Sequence, residues 1–467
     1  MSFLTARRDM AAQAKTLLLF RLPCRPMSNA EHRTSLMPLT SQQRAIIQSS
    51  GNIRINAVAG SGKTSTLVEY ARERLGRGRM LYLAFNRSAR REAWSRFREA
   101  GVRSVDVQTA HSLAYRNTVF RHGYSVVEGY RAHEVRDMLK IKPVGKHRHS
   151  DLVLASHILK LCALFCNHAT SRVKDLDYAE TVADPAARRF VERHNGRIVR
   201  DARELLAKMD RKEMAVSHDF YLKKFQLSRP LLPYDSVLFD EGQDASPVML
   251  DVFVRQKGTR VIVGDVHQQI YGWRHAINAL GQVDFCDYPL SASFRFGPPI
   301  AEFARKCLSW KRYLGVKNSD VAIEGLGRCR GIRTKATLAR TNVALLKAAA
   351  HYVMYRRGTP LIFFEGNLNS YLYARNGTSL YDVLNLSLEN MNRVRDPLAR
   401  KLGSFAALGE YAEQTGDNEL STMIDLVEEF GKDLPRIMKR IKECNVAPEC
   451  RDRAEMVFST VHKAKGM

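Results

Sequence analysis

Cysteine is scarce in this chain: eight thiols (Cys24, Cys162, Cys166, Cys286, Cys307, Cys329, Cys444, Cys450) are scattered over 467 residues without the close, regular spacing of a stapled secreted domain. A disulfide scaffold is thereby excluded and a reducing compartment expected. Proline (15) and glycine (28) are few and 45% of the residues are hydrophobic, which excludes collagen and a disordered chain. No apolar run approaches the ~20 residues of a membrane span, and Leu17 to Phe20 is too short for the core of a secretory signal. Acids are the minority charge, 48 Asp and Glu against 74 Lys and Arg, leaving +26 at pH 7. A chain so charged repels itself unless a polyanion compensates it, so nucleic acid is the leading partner and no membrane is expected.

The length suits about three domains. From Leu39 onward short β-branched runs alternate with helical patterns, as in an α/β protein with a parallel sheet and crossover helices. Residues 52–58, 80–85, 236–239 and 260–263 read as buried strands, 178–194 and 202–214 as basic helices, and 420–430 and 434–444 as helices with regular apolar spacing. The expected division is a basic N-terminal extension (1–38), a first sheet domain (39–115 and 220–289) interrupted by a helical insertion (116–219), and a second sheet domain (290–365 and 454–467) interrupted by another (366–453). The extension's arginines and lysines (Arg7, Arg8, Lys15, Arg21, Arg25, Arg33) against Asp9 and Glu31 would suit a mitochondrial transit peptide, while Met27 and Met37 offer a downstream start. The expected location is intracellular: cytoplasm or nucleoid in a bacterium, nucleus or mitochondrion in a eukaryote.

The strongest chemical signal is Ile53 to Thr64, a β-branched run followed by Ala59-Gly60-Ser61-Gly62-Lys63-Thr64 and a helical pattern. Small residues let backbone N–H groups approach phosphates, Lys63 reaches the β and γ oxygens of ATP, and Thr64 holds Mg²⁺. The strict phosphate-loop pattern wants glycine where Ala57 stands. Such a loop needs a carboxylate for its metal, and Val237-Leu238-Phe239-Asp240-Glu241 is an apolar strand ending in two acids. Asp240 would meet the Mg²⁺ through water, leaving Glu241 to polarise the attacking water.

Asp240-Glu241-x-Gln243-Asp244 followed by Val263-Gly264-Asp265-Val266-His267-Gln268-Gln269-Ile270-Tyr271-Gly272-Trp273-Arg274 resembles motifs II and III of UvrD/Rep-type superfamily 1 DNA helicases, most closely the F-box DNA helicase type. Leu39 to Gln43 resembles the Q motif, Ala84-Phe85-Asn86 motif Ia, Thr109 to Ala114 the next DNA-contact motif, Ser293 to Gly297 motif IV, Ala339 to Asn342 the segment after it, and Thr460 to Gly466 motif V. The resemblance implies two RecA-like P-loop NTPase domains with largely helical insertions and an ATP- and Mg²⁺-dependent motor on single-stranded or partly duplex DNA, moving 3′ to 5′ in repair or recombination. It further implies that Gln43 reads the adenine edge, Phe294 stacks on the base, and Gln268 and Arg295 sense the γ-phosphate. Phe85 and Trp273 become platforms for single-strand bases, with Asn86, Thr109, His111, Thr460 and His462 along the strand.

In that family motif V continues into a Leu-Glu pair and motif VI brings a second arginine to the γ-phosphate, whereas this sequence stops at Met467. The corresponding expectations are a second domain incomplete at its C-terminus, weakened hydrolysis, and either a completing protein partner or a nucleotide-gated single-strand-binding protein. A recombinase filament is a further partner the F-box type suggests, although no F-box-like segment precedes Leu39. His157, Cys162, Cys166 and His168 lie close together but lack the paired spacings of a zinc site, and read as core. Lys146 to His149 with Arg188, Arg189 and Arg193 read as a solvated basic face.

Overall fold

The computed structural model describes residues 18–20, 38–145, 149–272, 275–315, 322–327, 335–356, 358–373 and 377–465. Trp273 and Lys146 to Arg148 lie outside the described residues, as does most of the N-terminal extension.

The architecture is α/β, as the alternating patterns predict. Of the twelve strands among the described residues, β1 (Leu18–Phe20) comes from the basic extension; β2 (Ile53–Ala57), β3 (Met80–Ala84), β4 (Val105–Thr109), β5 (Ser236–Phe239), β6 (Thr259–Gly264) and β7 (Cys286–Leu290) come after it. These last six form one all-parallel sheet in the order β4-β3-β5-β6-β2-β7. Two short strands, β8 (Ala292–Ser293) and β9 (Glu324–Gly325), pair with each other. The second sheet contains β10 (Lys335–Ala339), β11 (Ile362–Phe364) and β12 (Met456–Thr460) in parallel, with β1 antiparallel along its edge, in the order β1-β10-β12-β11.

Strand alternation sorts the first core into two layers. Ile53, Ile55, Tyr82, Leu238, Val261 and Val263 pack on one face with helices α1 (Ser41–Gln48), α2 (Lys63–Arg72) and α3 (Arg87–Glu99). Leu81, Leu83, Val237, Phe239 and Ile262 pack on the other, against the helical insertion. The insertion's central helix is α4 (Ser150–Asn167), 18 residues long and, by length and composition only, apolar enough to cross a membrane. Ser156, His157 and Lys160 interrupt its apolar run and disguise it in the sequence; here Leu154, Ile158, Leu161 and Phe165 are core residues of the insertion. The segments read as two helices at 178–194 and 202–214 contain a single one, α5 (Pro185–Asp210), begun by the Asp184 cap and running through Gly196, which faces open space.

His157 and Cys162 serve packing: the carbonyl of Gln414 must accept from Nε2 of His157 at 2.9 Å, so Nδ1 accepts the Tyr178 hydroxyl at 2.8 Å, and Cys162 reaches the Ala202 carbonyl at 3.6 Å. Among the described residues no group of His, Cys, Asp and Glu is arranged to hold a metal ion. Gln414 belongs to the second helical region, so this bond, with Lys160 to the Thr415 carbonyl, ties the two insertions together.

Because all six strands of the first sheet are parallel, the segment after each strand emerges at one edge, where ligands of open α/β sheets bind. The phosphate-loop residues come after β2, Phe85 after β3, Asp240 after β5 and Asp265 after β6, while Thr109 ends β4 and Ser293 to Arg295 lie just beyond β7.

Candidate active site and nucleic-acid interface

The loop from Val58 to Gly62 turns on Gly60 (φ 75°) and Gly62 (φ 79°), left-handed conformations that a side chain would strain. Ala57 ends β2 without positive φ, which explains why the pattern's first glycine is dispensable here. The loop is stitched to the segment after β7: Ser293 Oγ donates to the Ala59 carbonyl at 2.7 Å, and the Phe294 amide donates to the Gly60 carbonyl at 3.0 Å. A Cβ on Gly60 would come within 2.5 Å of the Arg295 Cβ, so close approach alone demands glycine. Arg295 is exposed and Phe294 half-buried. Gln43 is buried; its amide oxygen accepts from the Thr40 backbone at 3.0 Å while its NH₂ reaches the Thr66 hydroxyl at 3.2 Å, so in this structure it braces the loop and α1 together.

Ser61 is 2% exposed and its hydroxyl has no hydrogen-bond partner, an orphan donor in a cradle of backbone amides at the start of α2. The Tyr82 hydroxyl donates to Asp240 Oδ2 at 2.5 Å and also hydrogen-bonds with the Thr64 side chain, so the hydroxyl and carboxylate expected to hold Mg²⁺ meet at one phenol. That all-oxygen pair and the orphan serine fit a triphosphate with its magnesium.

Glu241 has φ 54°, unusual for a side-chain-bearing residue and characteristic of strain held at functional positions. Burial and the adjacent Glu241 charge push the Asp240 carboxyl above its ordinary range. Burial works the same way on Glu241, but Lys63, Lys465 and Gln243 outweigh it and hold that carboxyl below its ordinary value. Fully buried Gln243 donates to Glu241 and accepts from the Asp265 amide at 3.0 Å. Asp265 in turn accepts from Gln268 Nε2 at 2.8 Å, so the candidate γ-phosphate sensor and the candidate general base sit on one hydrogen-bonded chain.

A second cluster joins the two sheets. The Phe85 ring lies 5.0 Å from Tyr271, and Tyr271 lies 5.1 Å from His462, whose Nε2 bonds with the Ile270 carbonyl at 3.0 Å. Lys465 passes between the sites: its ammonium is 5.5 Å from the Tyr271 centroid and 3.4 Å from Glu241 Oε2, and it is ion-paired with Asp244, whose side chain is fully buried. Those two carboxylates raise the Lys465 ammonium above its ordinary value against the opposing effect of burial.

Not every expected strand contact joins this cluster. Asn86 caps α3, Thr109 caps the helix Ala110–Ala114 and Thr460 caps Val461–Ala464. His111 is half-exposed beside the first insertion, 3.9 Å from Asp219 and 6.1 Å from the Tyr221 ring. Sequence reasoning gives no role to Tyr82, Gln243, Tyr271 or Lys465. The last three stand within the motif-like runs, but spacing alone does not show which side chains meet.

Residues 39–280 match the UvrD/REP helicase N-terminal domain family. The chain is 30% identical to F-box DNA helicase 1 of Gallus gallus, over 93% of this chain and 44% of that protein. It is 26% identical to F-box DNA helicase protein 1 of Schizosaccharomyces pombe (92% and 52%), and 25% identical to DNA helicase IV of Escherichia coli (57% and 46%). The chain spans about half the length of the curated relatives it matches. With the family match covering more than half of its residues, on a parallel sheet whose carboxyl edge gathers the phosphate loop and the paired acids, the chain belongs to the RecA-like UvrD/REP helicase family.

Proposed function

We propose that this protein is an ATP-dependent DNA helicase or translocase that works on single-stranded DNA, moves 3′ to 5′, and serves repair or recombination inside the cell. The observation that carries the reading is Lys465: one ammonium pairs with Glu241 at the nucleotide site and lies beside the Phe85 and Tyr271 rings. A motor needs its hydrolysis site and its track to sense each other, and a lysine that touches both clusters supports that reading.

In this reading Thr64 and Asp240 hold Mg²⁺, which when bound neutralises charge on the β and γ oxygens. Lys63 reaches the same oxygens, and the Ser61 hydroxyl and the amides that open α2 satisfy the phosphates. Glu241 orients the attacking water and accepts its proton; Gln268 and Arg295 stabilise the transferred phosphoryl. Gln43 and Phe294 hold the adenine by edge and face. Bases stack on Phe85 and Tyr271, and His462 lies along the strand.

The test is ATP hydrolysis by the purified chain with and without single-stranded DNA, beside Glu241→Gln. DNA-stimulated turnover that the variant lacks supports a motor. Tight binding of both ligands without turnover would replace it with a nucleotide-gated single-strand-binding protein.

A further inference from the structure

We propose that the outer face of α3 is a track for single-stranded DNA that extends the strand's path beyond Phe85; this rests on the DNA-binding reading above and adds a surface to it. Helix α3 is capped by Asn86, directly after Phe85, and buries Ala93 and Phe97 against the first sheet. Arg87, Arg91, Trp94 and Arg98 are separated by four, three and four residues, which places them in one stripe on the opposite side, and all four are exposed.

The helix divides its arginines into two groups. Arg90 donates to the Val107 carbonyl at 2.9 Å and Arg96 pairs with Glu92 at 2.7 Å. Arg87, Arg91 and Arg98 have no acidic partner among the described residues, and the first two repel each other across one turn. The Arg98 guanidinium lies 4.9 Å from the Trp94 ring centroid, yet the tryptophan remains 50% exposed. Unpaired guanidinium groups alternating with an open indole match a strand that offers both phosphates and base faces. A duplex hides its base faces, and an acidic protein surface would satisfy the arginines but not the indole. The stripe is also continuous with the other candidate contacts: Arg87 is close enough to Tyr221 to influence it electrostatically, and Tyr221 neighbours His111.

The experiment measures binding of labelled oligothymidylates of about 6 and about 20 nucleotides, and of a duplex, across a salt series; α3 adds a reach of about 20 Å. For the longer strand, Trp94→Ala should weaken binding about tenfold and Trp94→Phe should restore most of it. The double variant Arg91→Ala/Arg98→Ala should weaken it and lower the salt slope by about 1.4, at roughly 0.7 per phosphate on a single strand. The shorter strand should bind all variants alike, and thermal melting, unchanged because these side chains are exposed, separates lost binding from lost fold. Equal affinity and slope for all variants on the longer strand overturns the track alone. No DNA binding by the unaltered chain overturns it together with the functional reading. A loss confined to the duplex overturns the single-strand assignment.

Discussion

The nucleotide site and the aromatic cluster lie side by side but are built on different plans. The phosphate loop, Asp240, Glu241 and the Ser293 to Arg295 segment all issue from the first sheet or are hydrogen-bonded to its loop. The cluster takes Phe85 and Tyr271 from the first sheet but His462 and Lys465 from the end of the second. The candidate nucleotide site is therefore built on one sheet, whereas the cluster depends on how the two sheets are placed. Lys465 belongs to both plans, since its carboxylate partners are in the first sheet's site.

The sharpest way to separate the two is at the nucleotide. Glu241→Gln should lower DNA-stimulated hydrolysis by about 10²–10⁴-fold, and Lys63→Ala should bring it to background, with single-strand affinity retained in both; a parallel loss of DNA binding would merge the plans. Next, Lys465→Met leaves the buried Asp244 carboxylate without its cation and should cost about 3 kcal/mol in denaturant unfolding, as breaking buried ion pairs does. Phe85→Ala and Tyr271→Ala come third, each weakening single-strand binding by about 1–3 kcal/mol while ATP affinity, measured by titration, stays put.

The smallest effect lies outside both plans, between the insertions. Burial lowers the buried His157 to about 4 from its ordinary 6.5. The unfolded chain therefore binds the extra proton first as pH falls, so stability is lost on acidification from about 6.5 toward 4. Between pH 7 and 5 the loss should be about 1–2 kcal/mol, and His157→Gln should flatten it in pH-dependent melts.

How legible each part is in the sequence depends on the range of the interactions that build it. The phosphate loop is local: strand, two glycines, lysine and helix lie within Ile53 to Thr64, so its pattern announces it. Among the strands interior to the sheet, β3, β5 and β6 are readable as apolar runs, and β2 as alternating buried isoleucines that lead into the phosphate loop. Both edge strands escape such a reading: β4 alternates its valines with Asp106 and Gln108 and has no motif after it as telling as the phosphate loop after β2, and β7 carries Pro289, which an edge tolerates. Asn195-Gly196 looks like a break in α5, yet burial of Val191, Ile198 and Ala202 carries the helix across it. The Lys465 pairing joins residues 221 positions apart, and no local pattern encodes it.

The stitching of Ser293 and Phe294 to the loop has a mechanical consequence. β8, which ends at Ser293, is paired with β9, and the Gly327 amide donates to the Phe296 carbonyl at 3.0 Å, so the residues on either side of Arg295 are tied down as well. Arg295 is thus mounted on the same bed as the phosphate cradle. Arg295 and the cradle therefore share one mounting, and a displacement of either is passed to the other through the two hydrogen bonds at Ser293 and Phe294.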